Sequence, residues 1–482
     1  MSELLKLQPE RVWYYFNEIC KIPRPSKKEE KIAGWLVEFG KKNNLETLKD
    51  SAGNVLIRKP ATRGKENNKA VVLQSHIDMV CEKNASTVHD FDRDPIQPVK
   101  DGDWVKAKGT TLGADDGIGM AAQLAILEAS GIAHGPLECL FTVDEETGLT
   151  GAFALQPGFV KGKVLLNLDS EDEGQLFIGC AGGKDTSVTF SFKKENVPAR
   201  MLPYKISVTG LKGGHSGDDI NKGLGNAVKI MNRFLMNASE NYAVRISKIE
   251  GGNLRNAIAR EAFAYLVVPA DKKDNLIKYA CTYNDIIKNE FHVTEPDLKF
   301  VIEDSEIPAF VIDPDTQFRL LHSLYACPHG VIAMTADMPG LVETSTNLAS
   351  VKTEDNKIFI QTSQRSSVET SKDDIARMVA SAFKLAGAEV KHGEGYPGWK
   401  PDLNSEILSV MKDSYKKLFA KDPLVLAIHA GLECGVIGEK YPGMDMISFG
   451  PTLRGVHSPD ERIHIESVGM FWKLLIEVLK TI

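Results

Sequence analysis

The stretch LECLFTVDEETG, residues 137–148, sets an apolar run against three consecutive acids. Leu137–Val143 reads as a buried strand, short, apolar and partly aromatic. Asp144, Glu145 and Glu146 follow at once. Burying charge is costly unless the charge is paired or bound to metal, so acids at the end of a core strand call for a partner. If the strand continued, Glu145 and Glu146 would point to opposite faces. At a turn both can approach one centre, one coordinating a metal while the other stays free to move a proton. An acid cluster opening a helix is the ordinary alternative.

Outward from this stretch, residues 1–185 alternate between strand and helix patterns. NVLIRK, AVVLQSHIDMV and KVLLNLD are strand-like, whereas RVWYYFNEICKI, EEKIAGWLVEFGKKN and GMAAQLAILEAS carry helical periodicity. Gly40 is a plausible brake on the second helix and Gly131 closes the third. Apolar strands separated by helices predict an α/β domain with a mostly parallel sheet covered on both faces. From 186 to 396 the texture changes to alternating strands, GGKDTSVTFSFKK and YKISVTGLKG among them, interleaved with helices. That predicts an α+β domain on antiparallel sheet, with strand-pair-plus-helix units that recur as if in two halves. Residues 397–482 return to the first texture. The simplest organisation is one domain built from 1–185 and 397–482, interrupted by an inserted lid at 186–396, with hinges near Gly182–Gly183 and near GYPGWKPD.

Composition narrows the function. A chain of 482 residues exceeds what one core usually serves. A net charge of −7, without a basic run carrying aromatics, argues against nucleic acid or anionic membrane as the main partner. The start MSELLKLQPERVWYYF is not a secretory signal, and no apolar window approaches bilayer length. Seven scattered cysteines without a C-x-x-C fit reduced thiols in a cytoplasm, and only Cys434, near the suspected site, is held open for chemistry. No phosphate-cradling glycine loop and no calcium loop is present.

Four further segments place acids or histidines where strands end. LQSHIDMV puts His76 and Asp78 two apart, so both leave one strand face and the carboxylate can orient the ring. GTTLGADDGIGMAA places Asp115 and Asp116 among four glycines that allow close backbone approach to something bound; an Asp there is also an ordinary helix cap. LLNLDSEDEG ends on Asp169, and SFGPTLRGVHSPDERIHIES carries His457. Each alone is an ordinary strand end, turn or surface group. Together, two histidines and several carboxylates at the strand ends of a parallel sheet suit two divalent transition metals with a shared carboxylate.

The segments SHIDMV, GTTLGADDGIG, TVDEETG, LNLDSEDEG, GCAGG, GLKGGHSG, GGNLRNAI, HAGLECG and VHSPDERIHIES occur in this order along nearly the whole chain. As a set they resemble the bacterial aminoacyl-histidine (Xaa-His, cytosolic non-specific) dipeptidases of the di-zinc aminoacylase/carboxypeptidase superfamily. The resemblance implies a metallo-dipeptidase of broad specificity, including Xaa-His and carnosine-like substrates, acting through a hydroxide bridged by two metals. His76 and His457 would be terminal ligands of different metals, Asp115 the bridge, and Glu146 and Asp169 the remaining ligands. Glu145 would be the general base and Asp78 the partner of His76. His215 and Asn256 would reach the scissile carbonyl, while Arg365 and the loop at Gly431 would hold the substrate's carboxylate. The implied cofactors are two divalent ions, zinc foremost, with cobalt or manganese as alternatives; the partner is a small peptide, with no nucleic acid or membrane, and a homodimer stays open. Asp116, His429, Glu433 and Cys434 receive no role. An N-acyl amino acid deacylase or a carboxypeptidase of the same superfamily is the rival.

Overall fold

The computed structural model describes residues 3–482, which fold as two units. The first comprises residues up to Cys180 together with Trp399–Ala427 and Leu432–Ile482; the second comprises Ala181–Gly398 and Ile428–Gly431.

The first unit is built on an eight-stranded sheet. Its strand order is Glu46–Lys49, Val55–Lys59, Leu137–Thr142, Val71–His76, Val164–Asn167, Asp445–Ser448, Gln175–Cys180 and Leu424–Ile428. The four central strands, from Leu137–Thr142 to Asp445–Ser448, run parallel. The neighbours Val55–Lys59 and Gln175–Cys180 are antiparallel to them. Every residue of Val71–His76 and Leu137–Thr142 is buried, as a sheet covered on both faces requires. Helix Ala114–Glu128 packs on Val71–His76 and on helix Glu10–Ile19, whose Trp13 and Phe16 are fully buried. Each such side chain contributes about 1.5–3 kcal/mol of burial. Helix Glu30–Lys42 runs through Gly40 rather than stopping there. The reason for glycine is packing: a Cβ at position 40 would stand 2.0 Å from Thr47 Oγ1. The chain turns back after it at Asn44, which adopts φ 54°.

The second unit is antiparallel throughout its main sheet. The strand order is Lys299–Asp304, Met201–Thr209, Ala262–Pro269, Arg245–Gly251, Val342–Glu354, Lys357–Ser366, Gly182–Ser191 and Glu389–His392, with Gly330–Met334 beside Val342–Glu354. Burial alternates along Gly182–Ser191 and Ala262–Pro269, so one face is solvated. Helices Ala227–Tyr242, Lys273–Glu290, Pro314–Ala326 and Glu369–Leu385 contribute to one core. Asn226 and Asp313 cap two of them by accepting backbone N–H groups. The strand-pair-plus-helix segments therefore share one sheet and one core, running from Phe300 and Tyr283 through Phe234 to Phe383 and Phe190. Gly183 and Tyr396 exchange backbone hydrogen bonds of 3.0 and 2.9 Å, so the two glycine-bearing segments suspected as hinges pair with each other. Among the described residues no helix is long and apolar enough to cross a membrane.

Candidate active site

Seven acids and imidazoles gather at the carboxyl ends of the central parallel strands. His76 is the last residue of its strand, and Asp78 lies two further on. Asp144, at φ 51°, turns the chain sharply after Leu137–Thr142 and delivers Glu145 and Glu146. Asp169 follows Val164–Asn167, Asp115 stands in the non-helical first turn of Ala114–Glu128, and His457 lies in the loop between the short strands Leu453–Arg454 and Arg462–His464. Asp115 and Asp116 are not helical, and the peptide bond between them is cis.

The donor atoms form two overlapping triads, His76–Asp115–Asp169 and Asp115–Glu146–His457, each with its atoms within 4.8 Å of one another. Asp115 divides its two oxygens between them. Oδ1 is 2.9 Å from His76 Nε2, and Oδ2 is 3.3 Å from His457 Nε2. His76 Nε2 is also 3.4 Å from Asp169 Oδ1, and His457 Nε2 is 3.0 Å from Glu146 Oε2. Asp78 Oδ1 stands 3.3 Å from His76 Nδ1, on the opposite side of the ring. Glu145 joins His76 and Glu146 in a third grouping.

The electrostatics of this site call for positive charge. Burial pushes the Glu145 and Asp169 carboxyls well above their usual range. Burial works against Asp115 too, yet hydrogen bonds from His457 and His76 hold it well below that range. Burial alone would lower the His76 imidazole, but Asp169, Asp115 and Asp78 hold it well above its ordinary value. Hydrogen bonds to Asp115 and Glu146 lift His457 to about 11. Glu146 Oε1 is buried without a hydrogen-bond partner among the described residues. Mixed nitrogen and oxygen donors, a surplus of carboxylates and an orphaned oxygen fit divalent cations, which would supply the charge that the imidazoles otherwise supply only by holding protons.

Glu29, Asp78 and Asp144 gather in the same way, but their oxygens are taken. Glu29 Oε1 accepts from the N–H groups of Lys27 (2.7 Å) and Asp144 (3.1 Å). Asp78 accepts from Ser26 Oγ (2.8 Å) and from the N–H groups of Glu145 (3.0 Å) and Glu146 (3.3 Å). Asp144 accepts from the hydroxyls of Thr147 and Thr150. This triad braces the turn that carries Glu145 and Glu146, and Asp78 faces both that turn and His76. Burial would raise Asp78, but His76, Ser26 and the Glu145 N–H hold it at about 2.

Three supporting residues escape the sequence analysis. Arg24 donates to the carbonyls of Ile77, Asp78 and Gly113, tying the His76 strand end to the Asp115 loop. Glu461 accepts from the N–H groups of Leu112 (2.7 Å), Gly113 (3.0 Å) and Ala114 (2.7 Å), tying that loop to the His457 loop. It sits inside VHSPDERIHIES, yet nothing local announces its role. Glu29 is the third. The glycines around Asp115 also serve a different end from the one expected, because the groups they admit are the protein's own. A Cβ on Gly113 or Gly117 would meet Arg24, and one on Gly119 would meet Asp116. Asp116 turns back to accept from the Gly119 N–H at 3.1 Å. Cys434 is fully buried and burial pushes its thiol well above its usual value, the opposite of the exposed, lowered thiol that nucleophilic chemistry uses.

The four other candidates lie in the second unit and cluster there. Arg365 Nη1 donates to Tyr396 Oη at 3.0 Å, and its Nη2 is 3.4 Å from His215 Nε2. Ser216 Oγ lies 3.4 Å from Arg365 Nε, while the Ser216 N–H donates to the Asn256 carbonyl at 2.8 Å. Gly431 lies so close to the Tyr396 ring that a Cβ would approach to 2.8 Å. Arg365, Asn256 and Tyr396 line a cleft of about 490 Å³. Next to this group His429 is 2.7 Å from Ser345 Oγ, and burial, with Arg365 nearby, lowers its imidazole to about 4.

Comparison with known proteins places the chain. Residues 72–481 match the profile of Peptidase family M20/M25/M40. The chain is 48% identical over 485 aligned residues to cytosol non-specific dipeptidase of Escherichia coli, covering 100% of this chain and 99% of that one. A crystal structure of aminoacylhistidine dipeptidase from Vibrio alginolyticus superposes with a TM-score of 0.95 at 46% identity, over 100% of this chain and 98% of the other. A tripeptidase from Staphylococcus aureus shares the fold alone, at a TM-score of 0.58 and 18% identity over 98% of each chain. From the profile and the two full-length relatives, this protein is a member of peptidase family M20/M25/M40.

Proposed function

We propose that the chain is a cytoplasmic, metal-dependent dipeptidase that hydrolyses short peptides with broad specificity, Xaa-His dipeptides among them. The observation that carries this is the pair of buried triads sharing Asp115. His76, Asp115 and Asp169 would hold one divalent cation, and Asp115, Glu146 and His457 a second, with zinc favoured by the mixed nitrogen and oxygen donors. Bound there, such cations polarise a carbonyl and lower the pKa of water. Glu145 takes the proton of the attacking water as its oxygen bonds to the carbonyl carbon, and gives it to the amine nitrogen as the C–N bond breaks. Asp78 keeps the His76 ring oriented while bracing the backbone of Glu145. Arg365, with its planar fork, suits the peptide's free carboxylate beside the Gly431 loop, and His215 and Asn256 serve the carbonyl oxygen. The names of both full-length relatives support the dipeptide substrate class, and that of the Escherichia coli relative supports the compartment.

The test is Glu145→Gln. Metal content should stay at the wild-type level while kcat falls on the order of 10³-fold; turnover within tenfold of wild type would refute the base assignment. A panel of a dipeptide, a longer peptide and an N-acetyl amino acid should show cleavage of the dipeptide, and preferential cleavage of the acetylated substrate would instead mark a deacylase.

A further inference from the structure

Directly beneath the presumed ligands, the central strands carry polar side chains where aliphatic ones would be expected. Gln74, Thr142, Asn167 and Ser448 are all 0% exposed, and each lies at or near the end of a different parallel strand. Gln74 and Asn167 precede His76 and Asp169 by two residues, hence project from the same sheet face. Glu433, at the start of helix Glu433–Lys440, is also 0% exposed and meets them.

Their hydrogen bonds run in one direction. Ser170 Oγ lies 2.6 Å from Ser448 Oγ, and the Ser448 hydroxyl donates to Asn167 Oδ1, which leaves Ser170 as the donor of the first bond. Asn167 Nδ2 donates to Gln74 Oε1 at 2.6 Å, and Gln74 Nε2 donates to Glu433 Oε2. Thr142 Oγ1, 2.9 Å away, donates to the same carboxylate oxygen. The chain crosses all four parallel strands and ends on an acceptor that needs no proton of its own. Each group of such a network is costly to leave unpaired, and slipping one strand past its neighbour would orphan several of them.

We infer that Glu433 is a positioning residue: as terminal acceptor of this buried chain it locks the strand ends in register and thereby sets the spacing of the metal ligands above. This rests on the metal-centre reading given above. Glu433 Oε2 does the accepting, whereas Oε1 is buried without a partner among the described residues. A glutamine can therefore present the same acceptor oxygen, but a leucine of similar volume cannot.

The experiment is a Co²⁺ titration of the full chain, followed through the visible absorption that reports cobalt ligand geometry, on wild type, Glu433→Gln, Glu433→Leu and Ser448→Ala. Glu433→Leu should bind Co²⁺ at least tenfold more weakly and with a shifted spectrum. Glu433→Gln should stay within about threefold of wild type and keep the spectrum. Ser448→Ala, which removes a link two strands away from the one that carries His76, should shift in the same direction as leucine by a smaller amount, and serves if the leucine variant does not fold. A folded Glu433→Leu, or in its place Ser448→Ala, with wild-type Co²⁺ affinity and spectrum would overturn the inference, because a purely structural role moves stability alone. Wild-type protein that binds no Co²⁺ would overturn this inference and the metal-centre reading together. Two bound ions without peptide cleavage would overturn only the proposed reaction.

Discussion

Replacing Glu461 with leucine removes the acceptor of three buried N–H groups, on Leu112, Gly113 and Ala114, each within 3.0 Å of the carboxylate. Glu461 itself is 2% exposed, and leucine fills similar volume without admitting water in place of the lost oxygens. An orphaned buried donor costs about 1–3 kcal/mol, so the loss reaches roughly 3 kcal/mol or more before any relief. Relief comes from no longer burying a carboxylate, which the upward push on Glu461 shows to be unfavourable in itself. The net expectation is on the order of 3 kcal/mol of destabilisation. All five tryptophans, at 13, 35, 104, 399 and 472, belong to the first unit, so tryptophan fluorescence during urea unfolding follows the unit that holds Glu461. The measurement is made with chelator present, so that bound cations do not mask the loss. An unfolding free energy within about 0.5 kcal/mol of wild type, the usual range of an inert surface change, would refute the tethering role.

Other expectations follow from the same geometry. His76→Ala and His457→Ala should each lower bound metal by about one equivalent, whereas Asp115→Ala, which serves both triads, should lower it by about two, as read by elemental analysis after dialysis. Gly151→Ala places a Cβ 2.5 Å from both Val143 O and Asn54 Oδ1; it should cost about 1–3 kcal/mol in the same urea assay and disturb the turn before Glu145. His429, lowered to about 4 by burial, stays neutral in the folded chain while an unfolded histidine protonates below about 6.5. Its contribution is therefore complete above about pH 6.5 and is lost as pH falls toward 4, about 2 kcal/mol having gone by pH 5. The pH 7 to pH 5 loss of stability should shrink by about that amount in His429→Asn, and an unchanged loss would refute the assignment.

The chemistry of the site is legible in the primary structure because it resides in side-chain types at strand ends. Short apolar runs, set off from helical patterns, mark where the strands near 71–76, 137–142 and 164–167 stop, and acids or imidazoles at those stops identify themselves. Local pattern says much less about support. Glu461 reaches Leu112 across 349 positions, Gln74 reaches Glu433 across 359, and Arg24 reaches Gly113 across 89. Gly40 reads as a helix stop until Thr47 is seen to lie where its side chain would be. The glycines near Asp115 read as room for a ligand until Arg24 is seen to occupy that space. Likewise, residues 428–431 sit amid the C-terminal segment but fold with the second unit. Sequence alone therefore determined which atoms could do the chemistry, since donor type and strand periodicity are local properties. Strand order decided the rest: only when Leu137–Thr142, Val71–His76, Val164–Asn167 and Asp445–Ser448 lie side by side do Asp115's two oxygens face two different imidazoles, and hydrogen bonds between residues hundreds apart leave no trace in the pattern of either partner.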